Sequence, residues 1–304
     1  MRYKWSFDVV KHRKKYFTFS IVVTILGILS LAIFGLNRGV DFKSGTTLDI
    51  TAAGQAIDQA KAADLIGKAG LQAATIVVGG DNNDRVTARF EQVLSPDQVK
   101  SIEESFKAVY GDNVSKEENT VDTELAAELA TKATWAVLIA SVFIAAYVAI
   151  RFEWRFAVAG IVSLLHDAFI VISLFSIFRW EVNLPFVAAV LTIIGYSIND
   201  TIVIFDRIRE NMRFAKKKTF DDLAKIVNDS VWQTMTRSIN TVVTVLIAAV
   251  FLFIMGSPAI RMFSLAIIIG LASGMYSSIF IASPLWLVLK HKWPGKSAGK
   301  KAAA

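Results

Sequence analysis

The chain contains no cysteine and only five prolines in 304 residues. The missing thiols exclude disulfides, thiolate-bound zinc, iron–sulfur clusters and thiol catalysis. Charge is scarce as well: 19% of residues carry it, against 54% hydrophobic, and the mean hydropathy is +0.49. A soluble domain of this length has no use for so much apolar sequence, and it arrives in runs long enough to cross a bilayer. Catalytic signatures are also missing. GKS at 295–297 lacks the upstream glycine of a phosphate loop and follows no strand, and neither HExxH nor GxSxG occurs. The expectation is therefore no enzyme, no metal and no bound cofactor, with any work drawn from an ion gradient or a partner.

The charge that is present is unevenly placed. Residues 37–132 hold ten basic and sixteen acidic side chains, net −6, whereas the remainder holds 23 and 10, net +13. This is a topology signal rather than a nucleic-acid one. Residues 1–15 carry Arg2, Lys4, Lys11, Arg13, Lys14 and Lys15 against Asp8 alone, which places them in the cytoplasm. Trp5 and Phe7 suggest that this segment lies along the membrane surface. The first span, 16–36, is too long for a signal-peptide core and lacks a small-residue cleavage site. Five further apolar runs follow, at about 133–150, 157–178, 184–206, 239–255 and 262–289. Arg151, Arg155, Arg207, Arg209, Arg213, Lys216–Lys218 and Lys225 fill the connectors after the second and fourth spans. Lys290, Lys292, Lys296, Lys300 and Lys301 make the tail, 290–304, basic. The expected architecture is thus an α-helical integral membrane protein of six transmembrane helices, with both termini cytoplasmic.

The acidic segment 37–132 then lies outside and reads as a small α+β domain. Thr46–Thr51 alternates like a strand, Ala56–Ala69 is helical, and Ala74–Val78 and Arg85–Glu91 are strands around GGDNND. Ser95 as N-cap and Pro96 at the first helical position open a helix through Tyr110. A weaker strand near 113–121 completes a β-α-β-β-α-β, ferredoxin-like order. Glu124–Lys132 continues as a helix into the second span. In the connector after the fourth span, Thr219 and Asp222 cap an amphipathic helix near 219–232, expected flat on the inner membrane surface.

Polar residues within the spans are the candidates for chemistry, because carboxylates in hydrocarbon cost several kcal/mol. The fourth span carries Asn199 and Asp200 inside its apolar part and Asp206 at its end. The two aspartates are about 9 Å apart along the helix and about 120° apart around it, so they form no carboxylate pair. Asp206 reads as a surface ion pair with Arg209 or Arg213. Asp200, flanked by Ile198 and Ile202, reads as an ion-handling group, or else as a structural hydrogen-bond partner. Arg237, Asn240, Thr241 and Thr244 form a polar stripe on the fifth span. Arg237 is expected to approach ionised Asp200, or alternatively to anchor at the headgroups. His166 and Asp167 in the third span could pass protons or simply bond between helices. Gly270, Ser273, Gly274, Ser277 and Ser278 give the sixth span a small-residue packing face.

Four stretches resemble one family. GVDFKSGTTLDI (39–50), GYSINDTIVIFDRIRENMR (195–213), TRSINTVVTVLIAAVFLF (236–253) and GLASGMYSSIFIASPLW (270–286) are similar to signatures of the bacterial SecD/SecF protein-export membrane proteins. The order of one span, an external domain and five spans matches the shorter members along the whole chain. Within the first signature the carried-over positions are Gly39, Asp41, Phe42, Gly45 and Thr46. Ser44 departs from the usual second glycine, which is compatible with the fold if its backbone stays at negative φ. The resemblance implies an accessory subunit of the Sec translocase in the bacterial inner membrane, paired with SecD in a resistance-nodulation-division-like unit. It implies partners in the translocon channel, accessory membrane subunits, unfolded preprotein and the lipid bilayer. It also implies that a proton gradient, or a sodium gradient, drives late steps of export, with Asp200, Arg237 and Asn240 matching the ion-pathway signatures. A small-molecule efflux transporter of the same superfamily and a passive assembly scaffold are the alternatives.

Overall fold

The computed structural model describes residues 7–80, 82–214 and 219–293. Trp5, Lys216–Lys218 and the tail beyond Trp293 lie outside the described residues. The membrane part consists of α1 (Arg13–Phe34), α4 (Thr123–Arg151), α5 (Trp154–Ile177), α6 (Leu184–Arg213), α7 (Phe220–Met255), α8 (Pro258–Ser277) and α9 (Ser283–Lys292). Six helical stretches are long and apolar enough to cross a membrane, the last running from Ile260 to Lys292 through α8 and α9. Between α8 and α9 the helix widens into a π-turn over Ser278–Ala282. Pro284 lies just beyond, where its missing N–H and its ring disturb the regular ladder.

Burial ranks the helices. About half of the apolar window of α5, α6 and the last span is buried, 50%, 44% and 56%, against 17% for α1, 6% for α4 and 11% for α7. The first three form the centre of the bundle and the others surround it. Small residues make this possible. A Cβ added at Gly270 of α8 would lie 2.3 Å from Ile193 of α6, and one at Gly27 of α1 would lie 2.2 Å from Ser173 of α5.

The α+β domain is built from β2 (Gly45–Ala52), α2 (Gln59–Lys68), β3 (Thr75–Gly79), β4 (Arg85–Phe90), α3 (Pro96–Tyr110) and β5 (Val114–Val121). Its sheet order is β3-β4-β2-β5, every neighbour antiparallel, which is the ferredoxin-like arrangement. Leu48, Ile50, Val86, Ala88 and Phe90 alternate toward the helices and meet Ala62, Leu65, Ile102 and Phe106 in a separate core. Ser95 and Gln98 form a reciprocal capping box at the start of α3.

Two short segments join this domain to the bundle. β1 (Asn37–Arg38) pairs in parallel with β6 (Glu181–Val182), and Gly39 N donates to Val182 O at 2.7 Å. The next turn, a 3₁₀ turn over Val40–Phe42, presents Asp41, whose Oδ2 accepts from Leu184 N at 2.8 Å. That N–H is one of the unsatisfied donors opening α6, and the carboxylate also suits the positive end of the helix dipole. Arg89 of β4 pairs with Glu181 at 2.8 Å and donates to Arg38 O at 3.0 Å. No periodicity in the sequence announces a two-residue strand, so this joint is a structural finding.

Two expectations need correction. The segment near 219–232 is not a separate helix lying flat on the membrane. It is the first part of α7, a single helix of 36 residues, because nothing between Phe220 and Met255 is glycine or proline and the Thr219–Asp222 capping box starts it once. Nor does the described end of the N-terminal segment lie along a membrane surface. Val9 and Val10 are buried against the bundle, Asn228 Oδ1 accepts both of their amides at 3.1 and 3.3 Å, and Asn228 Nδ2 donates to Asp8 at 2.8 Å. Trp232 Nε1 adds a bond to Phe7 O at 3.0 Å. Several hydrogen bonds and two buried valines outweigh a surface position.

Candidate ion-coupling site

Asp200 sits midway along α6, beside a crevice lined by Asn199, Thr241, Gly270 and Gly274. Ser238 of α7 donates to its Oδ1 at 2.5 Å. Its Oδ2 is buried and, among the described residues, has no hydrogen-bond partner. Arg237 does not pair with it. The guanidinium is exposed and forms no ion pair among the described residues; its charge still acts on Asp200 across the gap, but the hydrogen-bonded partner is Ser238. The reason is helical geometry: neighbouring residues point about 100° apart, and the buried position belongs to Ser238. The rest of the stripe behaves similarly. Thr241 and Thr244 donate to the carbonyls of Arg237 and Thr241 on their own helix, and Asn199 and Asn240 are exposed.

Asp206 is separated from this site, as expected. Its carboxylate lies 3.6 Å from both Arg209 and Arg151, so the second partner is Arg151 at the end of α4 rather than Arg213. All three side chains are roughly two-fifths exposed, which makes this a rim interaction of small energy.

The feature that sequence reasoning underweighted is Asp167. Its side chain is fully buried in α5. Oδ2 accepts from Ser197 of α6 and Ser277 of α8, both at 2.5 Å. Oδ1 accepts from Ser273 of α8 at 2.7 Å and lies 3.1 Å from Nδ1 of His166. Ser163 donates to Ser277 at 2.8 Å, and Thr201 and Ser278 share a further bond at 2.8 Å. The small-residue face of α8 is thus also a polar one. The signal was present as serines at 163, 197, 273 and 277, but three helices contribute them and no local spacing links them.

The first signature is a joint rather than a reaction centre. Gly45 has φ +156, and a Cβ there would lie 2.3 Å from Phe90 O. Thr46 is buried, accepts from Leu94 N at 3.0 Å and bonds Thr120 Oγ1 at 2.9 Å. Phe42 packs into the membrane core and Asp41 caps α6. Gly39 leaves no room for a side chain beside Glu181. Ser44 is not among the positive-φ residues, so its departure from glycine strains nothing. Among the described residues no group of three histidines or carboxylates is placed to hold a metal.

The carboxyl-terminal model of the protein-export membrane proteins SecD and SecF matches residues 101–292, and the SecD/SecF GG-motif model matches residues 29–56. The chain belongs to the SecD/SecF family. It is 45% identical over 306 residues to the protein translocase subunit SecF of Alicyclobacillus acidocaldarius, covering 99% of this chain and 98% of that one. It is also 45% identical to the SecDF subunit of Bacillus subtilis over 302 residues, 99% of this chain but 40% of the relative. The crystal structure of SecDF from Thermus, a translocon-associated membrane protein, superposes with a TM-score of 0.81 at 30% identity over 95% of this chain. This chain spans 39% of that one, so it corresponds to a part of the fused proteins. As a SecD/SecF member the chain is a multi-pass membrane protein with an accessory role in Sec protein translocation.

Proposed function

We propose that this chain uses a proton gradient, together with SecD, to drive late steps of preprotein export across the bacterial inner membrane. The observation that carries the reading is Asp200: one carboxylate oxygen is bonded by Ser238, and the other is buried without a partner. A bare buried carboxylate oxygen is unfavourable unless it binds something. A proton needs that one oxygen alone, whereas a sodium ion needs several oxygen ligands, which makes the proton the better occupant. Arg237 lies one residue from Ser238 and is free of ion pairs among the described residues, so it can respond when Asp200 gains or loses charge. The one bond made and broken in this scheme is the O–H of the Asp200 carboxyl.

The other parts of the reading rest on charge and surface. The basic amino-terminal segment and the arginines at the end of α6 favour a cytoplasmic position for both termini, with the acidic domain outside. The exposed side of α4, with Trp135, Leu138, Val142 and Phe143, and the exposed Asn199, Arg237 and Asn240 suit a second six-span half, SecD, with lipid around the pair. The translocon channel, accessory subunits and unfolded preprotein follow from the relatives' role. The test is Asp200→Asn in cells, with export of a secreted reporter measured with and without a gradient. Loss of gradient-dependent export while the variant still assembles with SecD is expected. Normal gradient-dependent export would defeat the proposal. Arg237→Ala should impair the same step.

A further inference from the structure

Asp167 is the most polar buried group in the bundle, and the coupling scheme leaves it unused. Its four contacts divide evenly, two to each oxygen, and three of them are hydroxyl groups from neighbouring helices. Ser163 donates to Ser277, and Ser277, Ser273 and Ser197 all reach the carboxyl group, while Ser277 also lies 3.2 Å from Gly274 O on its own helix. Hydroxyl groups here take the place of water around both oxygens. Asp200, which has a single donor, is the opposite case.

Ser197 links the two. It lies three residues before Asp200 on α6, nearly one helical turn, and it borders the same crevice. Opposite it stands Gly274 of α8, where a Cβ would lie 3.4 Å from the Ser197 Cβ and 3.7 Å from Asp167 Oδ2. A methyl group there would be in ordinary contact with both groups. The turn of α6 that bears Asp200 is tied to α5 by the hydrogen bond from Ser197 to Asp167, and on its other side to the last span by the bond between Thr201 and Ser278. We propose that Asp167 is a positioning residue for Asp200: a buried carboxyl group that, through Ser197, fixes the α6 turn carrying the ion-binding carboxyl. This deepens the reading of Asp200 as the proton carrier and rests on it.

The charged groups around the pair are few. On α5 the neighbour of Asp167 is His166, whose ring is also 6.2 Å from the Tyr276 ring of α8. On α6 the next acid after Asp200 is Asp206, paired with Arg151 and Arg209 at the rim. On α7 the cation is Arg237. The α8 wall supplies serines, glycines and apolar side chains, and α1, which packs on α5, has its basic residues only at its start, Arg13–Lys15.

The test compares substitutions that delete equivalent bonds. Ser197→Ala and Ser273→Ala each remove one hydroxyl donor from one oxygen of Asp167, but only the first cuts the tie to α6. Dicyclohexylcarbodiimide, which modifies protonated buried carboxyls, is applied to the full chain in native membrane vesicles across a pH series, and mass spectrometry reads the modified fraction at Asp200. Ser197→Ala lowers the half-modification pH, because the freed turn admits water to Asp200, while Ser273→Ala leaves it unchanged. Asp167→Asn, which keeps the shape but exchanges one acceptor oxygen for an amide donor, shifts it in the same direction as Ser197→Ala does, because the tie to Ser197 is weakened. Equal half-modification values for Ser197→Ala, Ser273→Ala and the unaltered chain overturn the positioning role, and so does an unshifted Asp167→Asn. Absence of any pH-dependent modification at Asp200 in the unaltered chain is a different failure, because it removes the proton carrier itself.

Discussion

The close helix contact at Gly270 gives the sharpest prediction. Gly270 faces Ile193, and a methyl group at Gly270 would stand 2.3 Å from both Cδ1 and Cγ1 of that isoleucine and 2.7 Å from Cγ2. Carbon atoms in contact sit about 3.5–4.0 Å apart, so Gly270→Ala demands more than 1 Å of movement. Ile193 cannot easily provide it. It is 1% exposed, and its branched Cβ restricts it to few rotamers. The helices themselves must part, at about 1–3 kcal/mol for overpacking. Lipid does not offset this, because tails are as apolar as the interface they replace and only packing is at stake. Separation of α6 from the last span also stretches Thr201–Ser278, now 2.8 Å, toward a length at which it ceases to be a hydrogen bond. The assay is thermal unfolding in mild detergent of four proteins: the unaltered chain, Gly270→Ala, Ile193→Ala and the double variant. Each single variant should melt lower, and the double variant should recover part of the loss, with a favourable coupling of about 0.5–3 kcal/mol. A Gly270→Ala protein that melts with the unaltered chain, or a double variant that only adds the two losses, refutes the contact as the limiting one.

Three further outcomes follow from the joints. Asn228→Ala removes three hydrogen bonds to residues 8–10 and leaves two amides bare, at about 1 kcal/mol or more for each bond. Trypsin should then cut at Lys11 and Arg13 faster, and an unchanged rate would show that Asn228 does not hold the segment. Burial holds the Glu181 carboxyl above its usual value of 4.5, with Arg89 opposing and Asp41 adding to the effect. The folded joint thus binds that proton more tightly than the unfolded chain, and the stability it lends is full below about pH 4.5 and lost as pH rises through the raised value. Glu181→Gln should flatten this part of the melting-temperature profile between pH 4 and 7, and an identical profile contradicts the assignment. Gly45→Ala drives a Cβ into Phe90 O at a positive φ, so the α+β domain should lose about 1–3 kcal/mol in urea unfolding.

How much of this was legible beforehand depended on the range of the interaction. The spans were readable because hydropathy is a local sum, and the ferredoxin-like domain because alternation and the Ser95–Pro96 start are local as well. Asp200 stood out for the same reason, as a charge within an apolar run. Its partner was misread because Arg237 and Ser238 are adjacent in sequence yet face different ways, and charge drew more attention than direction. Asp167 was visible as a candidate, but its setting was not, since Ser197 and Ser277 lie 30 and 110 residues away. The extent of α7 could have been read from the absence of glycine and proline between 220 and 255. The polar composition of its first part suggested a separate surface helix instead.

That unbroken helix has a mechanical consequence. At 1.5 Å per residue its 36 residues extend about 54 Å, well beyond a hydrocarbon core of about 30 Å. Ser238, which touches Asp200, and Asn228, which grips the start of the chain, lie ten residues apart on it, about 15 Å along one rod. No glycine or proline lies between them, so the two points share one unbroken hydrogen-bonded helix. The start of the chain leads directly into α1, and α1 into the α+β domain. A change at one buried carboxyl thus has a second route to the α+β domain, along α7 to the start of the chain and from there through α1.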